Sequence, residues 1–553
     1  MMKRSDLNKQ LNDHLTTLFD EPKRSDINNR LAKLIDAQEQ QTISQSAALN
    51  EKNMYLITYG DSIQSSNQKP LQALRTMLDE TVADIITDVH LLPMFPYTSD
   101  DGFSVTDYLQ IDPELGDWSD IDDLAGNYRL MYDFVANHMS ESSDWFQQFL
   151  QGNPGFEHAF VEKEPGFDAT KVVRPRTSPL FHTYGMSEKQ VWSTFSKDQV
   201  DVNIQDPTMF TRLTETLLTY ITRGATSIRL DAIGFLWKES GTTCIHLPQT
   251  HTVIQIWRLL TDYFAPNTQI ITETNVPHKE NISYFGDGNN EAHQVYQFPL
   301  PPLTLHAFTT HDATHLTNWA KNIMRVGENA TYFNFLASHD GIGMRPTEGI
   351  LTDNDREKLT EKILQNGGQI SYKNNPDGSK SIYELNINYS EALRNNGESD
   401  ELAIQKMLAA HHILFSVMGV PAVYYHSLFG SRNDKKAAET SGIPRRINRE
   451  KLDLATLQNE LETNPYRQAI FTGLKKLAQV RQGETAFNPY QPQEVLSSDS
   501  RIFALKRGDV YCYTNVSDQA ITIETAGTKN ILTGEQISDG KCELPPYGYV
   551  WVK

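Results

Sequence analysis

Three carboxylates that could do chemistry stand at the ends of short apolar runs: Asp231 in Ser227-Ile228-Arg229-Leu230-Asp231-Ala232, Glu273 after Gln269-Ile270-Ile271-Thr272, and Asp340 in Ser338-His339-Asp340. In an extended chain Arg229 and Asp231 share a face, with Ile228 and Leu230 on the other. A charged pair on an apolar strand is costly outside a polar site, and a lone Arg-x-Asp reads as a buried salt bridge. Asp100 and the pair Asn137-His138 follow further apolar runs. Three carboxylates with neutral histidines between them suit glycosyl transfer: one attacks an anomeric carbon, one protonates the leaving oxygen, and a third stabilises charge and binds hydroxyls. Arg229 is expected to keep Asp231 ionised, while Glu273 needs a raised pKa.

Bringing these groups together requires a scaffold, and eight β-like runs alternating with helical segments supply one. They are Met54–Tyr59, Val89–Phe95, Leu130–His138, Ser227–Ala232, Gln269–Thr274, Gln294–Leu300, Tyr332–Asp340 and Pro421–His426. The alternation predicts an α/β fold, a parallel (β/α)₈ barrel spanning 51–486, in which catalytic groups end the strands. Two gaps are too long for simple crossovers, about 139–204 and 341–405, and read as inserted subdomains. Residues 1–50 read as a helical extension, with Leu7, Leu11, Leu15 and Leu18, then Ile27, Leu31, Leu34 and Ile35, at helical spacing. Residues 487–553 read as a C-terminal antiparallel β domain.

Composition limits the partners. The 553-residue chain is 39% hydrophobic and carries 50 Lys plus Arg against 70 Asp plus Glu, a net charge of −20. That field opposes nucleic acid and anionic membranes, so any anionic substrate needs a local cluster of arginines. Three cysteines without a CxxC, and no apolar run of membrane-spanning length, suggest a cytoplasmic protein without a disulfide framework. No cofactor and no metal is expected; His411-His412 lies in a helix-like stretch, where adjacent residues do not share a face.

Asp133-Phe134-Val135-Ala136-Asn137-His138, Ile228-Arg229-Leu230-Asp231-Ala232, Thr272-Glu273 and Ser338-His339-Asp340 resemble the four conserved regions of the α-amylase family of glycoside hydrolases, family 13. Longer runs resemble its sucrose-phosphorylase branch, among them Arg174-Pro175-Arg176, Val191-Trp192-Ser193-Thr194-Phe195 and His339-Asp340-Gly341-Ile342-Gly343. The resemblance implies Asp231 as nucleophile, Glu273 as general acid/base and Asp340 as transition-state stabiliser. It implies Asp100, Phe103, His138, Arg229, His339 and Arg445 as glucosyl-binding residues. It further implies a retaining phosphorylase using a small α-glucoside and inorganic phosphate, with Arg174 and Arg176 contacting phosphate. The stretch after His138, Met139-Ser140-Glu141, resembles the metal-free branch.

Three departures from the sucrose enzymes resemble glucosylglycerate phosphorylases: Asn275 in place of a histidine, the loop Tyr383-Glu384 with Glu384 in place of a glutamine, and the helical N-terminus. The acceptor implied is the glycerate of 2-O-α-D-glucopyranosyl-D-glycerate, with sucrose, sucrose 6′-phosphate or glucosylglycerol as alternatives. Lys373, Arg432 and His246 are candidate partners for a glycerate carboxylate. An α-glucosidase and a non-catalytic barrel scaffold are the readings from other classes. The apolar stripe of the N-terminal helices suggests a homodimer contact.

Overall fold

The computed structural model describes residues 2–176, 178–185, 187–374 and 379–553, with the backbone alone at Asn374. The tip of the second insertion, Asn375-Pro376-Asp377-Gly378, lies outside the described residues. Eight short strands form the centre: β1 (Tyr55–Thr58), β2 (Asp88–Leu91), β3 (Arg129–Phe134), β4 (Ala225–Leu230), β5 (Gln269–Thr272), β6 (Gln294–Tyr296), β7 (Thr331–Asn334) and β8 (Val420–Tyr424). Each pairs in parallel with its sequence neighbours, and β8 closes onto β1. The strands are buried on both faces, as a parallel sheet wrapped by helices requires, which is why they read as largely apolar runs without strict alternation.

The strands stop earlier than their apolar runs do. β6 ends at Tyr296, and Leu300, expected to end it, begins the helix Leu300–Thr310. β3 ends at Phe134, and His138 opens a separate strand, His138–Ser140, paired with Gln199–Asp201 in the first insertion. Val135, Ala136 and Phe298 are buried in the barrel mouth without belonging to the ladder, so burial rather than pairing explains their apolar character.

The two N-terminal helices, α1 (Arg4–Leu18) and α2 (Lys23–Gln38), turn their apolar stripes onto the barrel helices α3 (Pro207–Thr222) and α4 (Pro248–Phe264) of the same chain. Phe19 meets Phe210 edge-on at 5.5 Å between ring centroids, and Gln38 donates to the Leu218 carbonyl at 3.2 Å. Leu7, Leu11, Leu15, Ile27, Leu31 and Ile35 are buried in this contact. The stripe is thus consumed within the chain, which removes the reason for expecting a dimer contact there. Leu15→Ala is expected to loosen this docking by about 2–5 kcal/mol, the cost of a buried leucine cavity. Proteolysis of the N-terminal segment would then accelerate while barrel unfolding in denaturant shifts little.

Beyond α5 (Asp400–Ser416) the chain forms the antiparallel sheet β9 (Gln493–Val495), β10 (Ile502–Arg507), β11 (Val510–Asn515) and β14 (Tyr549–Val552), with β12 (Ile521–Glu524) paired to β13 (Lys541–Leu544). It is locked to the barrel through α5. His412 donates or accepts with Thr514 at 2.8 Å and lies against Trp551, whose indole donates to Ser416 at 2.8 Å.

Candidate active site

The barrel register fixes the central pair. Arg229 lies opposite Ile271 and Leu230 opposite Thr272, so Asp231 and Glu273 leave adjacent strands at the same height. The Asp231 amide donates to the Phe134 carbonyl at 3.2 Å and the Glu273 amide to the Leu230 carbonyl at 3.2 Å, which anchors both at the strand ends. The Ala232 amide donates to Glu273 Oε2 at 3.2 Å. Asp340 reaches the same pocket from beyond β7, and all three carboxylates line it.

Arg229 is buried beneath them. It donates to Asp231 at 2.9 Å and lies 3.9 Å from Glu273, but its shortest ion pair is with Asp133 on β3. Asp133 is also held by His90 Nε2 at 2.7 Å. His90, Asp133 and Arg229 therefore form a buried chain behind Asp231. Two of its members had no assigned role in the sequence, although a histidine and a carboxylate inside short apolar strands are a readable signal.

Arg229 favours the ionised form of Asp231, as expected, but it is opposed. Burial, followed by the charges of Glu273, Asp133 and Asp340, pushes the Asp231 carboxyl well above the usual range despite Arg229. Burial and the Asp340 charge also raise Glu273 against Arg229. The two carboxyls titrate as a pair that retains a proton above the pH at which a lone carboxylate would lose it. Asp340 goes the other way: although buried, it is driven far below the usual range, chiefly by Arg445, which pairs with it at 2.7 Å.

Asp100, Phe103, His138, Arg229 and His339 surround the carboxylates. Phe103 stacks on His339 with ring centroids 4.9 Å apart and planes 6° from parallel, a platform suited to a sugar ring. His138 Nε2 meets the Phe103 carbonyl at 3.0 Å, and Gln199 donates to Asp100 at 3.1 Å. Burial lowers the pKa of both His138 and His339, so both are neutral at pH 7. Arg445 comes from the 3₁₀ turn Pro444–Asn448 and, besides Asp340, holds Glu384 through two hydrogen bonds of 3.0 and 2.8 Å. Glu384 thus lines the pocket with its oxygens engaged by Arg445, rather than presenting a free carboxylate to an acceptor.

Of the acceptor candidates, Arg176, Asn275, Tyr383, Glu384 and His246 line the pocket. Arg176 lies over the Tyr383 ring at 5.9 Å and has no ion pair among the described residues. The Asn275 side-chain oxygen, Oδ1, is buried and has no hydrogen-bond partner. Burial lowers His246 to about 4, so it is a neutral donor or acceptor and no cation; its Nδ1 is 2.6 Å from the Tyr284 hydroxyl. Three candidates fall outside the lining. Arg174 has its Nε buried without a hydrogen-bond partner, Lys373 is 3.5 Å from Glu348, and Arg432 is half-exposed, pairing with Asp400 at 2.7 Å. The sequence reading overlooked Arg345, which does line the pocket.

Asn137, beside the third strand, accepts from Lys238 Nζ at 3.0 Å, and Lys238 pairs with Asp201 at 2.7 Å, so an ammonium group stands next to the Asn-His pair. Outside the pocket lining, His306, His315 and Asp355 bring ligand-type atoms within 4.8 Å of one another.

The alpha amylase catalytic domain matches residues 82–364. This chain belongs to the alpha-amylase family. Within the family it is 45% identical to a glucosylglycerate phosphorylase of Allomeiothermus silvanus, over 91% of each chain. It is 42% identical to the glucosylglycerate phosphorylase of Escherichia coli K12, over 91% of this chain and 92% of the relative. The structure of sucrose 6F-phosphate phosphorylase from Thermoanaerobacter thermosaccharolyticum superposes with a TM-score of 0.75 at 24% identity, covering 91% of this chain and all of that one; it shares the fold of this alpha-amylase family member. The chain is an enzyme of the disaccharide phosphorylase type.

Proposed function

We propose that this enzyme carries out reversible, retaining phosphorolysis of 2-O-α-D-glucopyranosyl-D-glycerate to α-D-glucose 1-phosphate and glycerate. Asp231 attacks the anomeric carbon as Glu273 gives its proton to the bridging oxygen, glycerate leaves, and a β-glucosyl ester forms on Asp231. A phosphate oxygen then attacks the same carbon from the vacated face and releases the Asp231 carboxylate, so two inversions leave the α configuration. Asp340, kept ionised by Arg445, faces the oxocarbenium-like charge that develops in both steps. Phe103 and His339 seat the ring, with Asp100, His138 and Arg229 around it.

The observation that carries this reading is Arg176, a guanidinium at the pocket with no carboxylate partner among the described residues, in a chain of net charge −20. An enzyme that let water resolve the glucosyl ester would not need it; one that selects phosphate does. Asn275 and the loop at Tyr383-Glu384 favour glycerate over fructose as leaving group, in keeping with the glucosylglycerate phosphorylases to which the chain is 42–45% identical. Glucose 1-phosphate release should require phosphate and proceed on glucosylglycerate. Turnover of sucrose but not glucosylglycerate overturns the acceptor assignment, and equal glucose release without phosphate supports the α-glucosidase reading instead.

Arg176→Ala should raise KM for phosphate at least about 10-fold, the loss of one charge-assisted contact, and increase the share of hydrolysis. An unchanged phosphate KM contradicts its role. The three free cysteines and the absence, among the described residues, of any helix long and apolar enough to cross a membrane support a cytoplasmic location, which cell fractionation tests.

A further inference from the structure

The second insertion leaves β7 along the short strand Ile342–Gly343, which pairs antiparallel with Lys380–Asn386 so that Gly343 lies opposite Glu384. The Met344 amide donates to the Tyr383 carbonyl at 3.0 Å. A Cβ on Gly343 would stand 2.7 Å from Asn275 Oδ1, so Asn275 packs directly against this strand. The next residue out, Arg345, heads the 3₁₀ turn Arg345–Thr347 and lines the pocket wall together with His246, Asn275, Val276 and Tyr383.

Arg345 is held there by no hydrogen-bonded anion, and its one ion pair among the described residues is a long one. Its Nε is buried and unpartnered, and its nearest carboxylate, Glu348, stands at 4.0 Å, beyond hydrogen-bond length. Lys373 is closer to that same Glu348, at 3.5 Å. Arg445, by contrast, is fully engaged by Asp340 and Glu384. A buried guanidinium N–H with no acceptor is costly unless a ligand supplies one, and the neighbouring Asn275 side-chain oxygen is likewise buried without a hydrogen-bond partner. The guanidinium fork matches a carboxylate through two parallel hydrogen bonds. Among the candidates named from the sequence, His246 is neutral, and Lys373 and Arg432 lie outside the lining.

We propose that Arg345 binds the carboxylate of the acceptor, with Asn275 beside it, and that this contact makes the enzyme select a small hydroxy acid over a neutral polyol. The assignment rests on the glycerate reading given above. Arg176 belongs to the first insertion and Arg345 to the second, so phosphate and carboxylate each have their own guanidinium.

The test runs the full-length enzyme in the synthetic direction, with glucose 1-phosphate as donor and D-glycerate or glycerol as acceptor, reading phosphate release. Arg345→Ala should lower kcat/KM for glycerate roughly 100-fold, mainly through KM, as expected for truncating one partner of a buried charge pair. The ratio of glycerate to glycerol use within the same enzyme should fall by a similar factor, and Arg345→Lys should recover part of it as a point charge. KM for phosphate, measured with α-D-glucosyl fluoride as donor, should rise far less than KM for glycerate. A variant that keeps the wild-type acceptor ratio overturns the assignment, as does one whose phosphate KM rises in step with its glycerate KM, since Arg345 would then be a phosphate ligand. A wild type that glucosylates glycerol but not glycerate overturns the glycerate reading and this assignment together.

Discussion

Asp231→Asn should cost on the order of 10⁵-fold in kcat with little change in unfolding midpoint. The magnitude follows from losing covalent catalysis, since knocking out a nucleophile removes the low-barrier route and leaves only binding and charge stabilisation. Stability should survive because the asparagine can still accept from Arg229, which retains its shortest ion pair to Asp133. Asp231 is also pushed up by its carboxylate neighbours, so neutralising it relieves repulsion with Glu273 and Asp340. Steady-state rates together with a denaturant melt check this: a folded variant with more than about a tenth of wild-type activity contradicts the nucleophile assignment and revives the scaffold reading.

Glu273→Gln should reduce phosphorolysis of glucosylglycerate by about 10²–10⁴-fold, the usual worth of a positioned proton donor. The loss should depend on the leaving group. Departing glycerate needs a proton, whereas phosphate leaves and attacks without one. Exchange of labelled phosphate into glucose 1-phosphate should therefore fall much less than phosphorolysis. The pH profile carries the same signature. Burial raises the Glu273 pKa, so in the wild type the acid form persists above the ordinary glutamate range, and cleavage of the glucoside declines as pH rises through that raised value. In the variant this alkaline limb should vanish. Equal losses in cleavage and in phosphate exchange would mean that Glu273 shapes the site rather than supplying the proton.

The barrel was legible because its strands are buried on both faces, so each appears as a short, largely apolar run, and their alternation with helices specifies a parallel closed sheet. Strand ends were less so, since residues such as Val135 and Phe298 are apolar for burial in the mouth and not for pairing. Asp231 and Glu273 could be found because each directly follows a strand, and Asp340 because it closes the apolar run that continues beyond β7. Side chains on the insertions were harder, because a loop has no period to say which way a residue points. This is why Arg174 and Arg432 were expected at a pocket they do not line and Arg345 was passed over. The one available signal for Arg345 was a cation five residues beyond Asp340 in a Gly- and Met-containing stretch. The Arg-x-Asp spacing showed one partner of Arg229 and not the other, because it does not reveal that Asp133 shares the same guanidinium.

The central claim is a double displacement in which phosphate resolves a glucosyl ester. The most direct test is proton NMR of the first sugar product formed from glucosylglycerate and phosphate, before any anomeric equilibration. The account predicts α-D-glucose 1-phosphate and, with phosphate omitted, only slow glucose release. β-D-Glucose 1-phosphate as the first product would contradict the double displacement, and free glucose formed at the same rate with or without phosphate would contradict phosphorolysis.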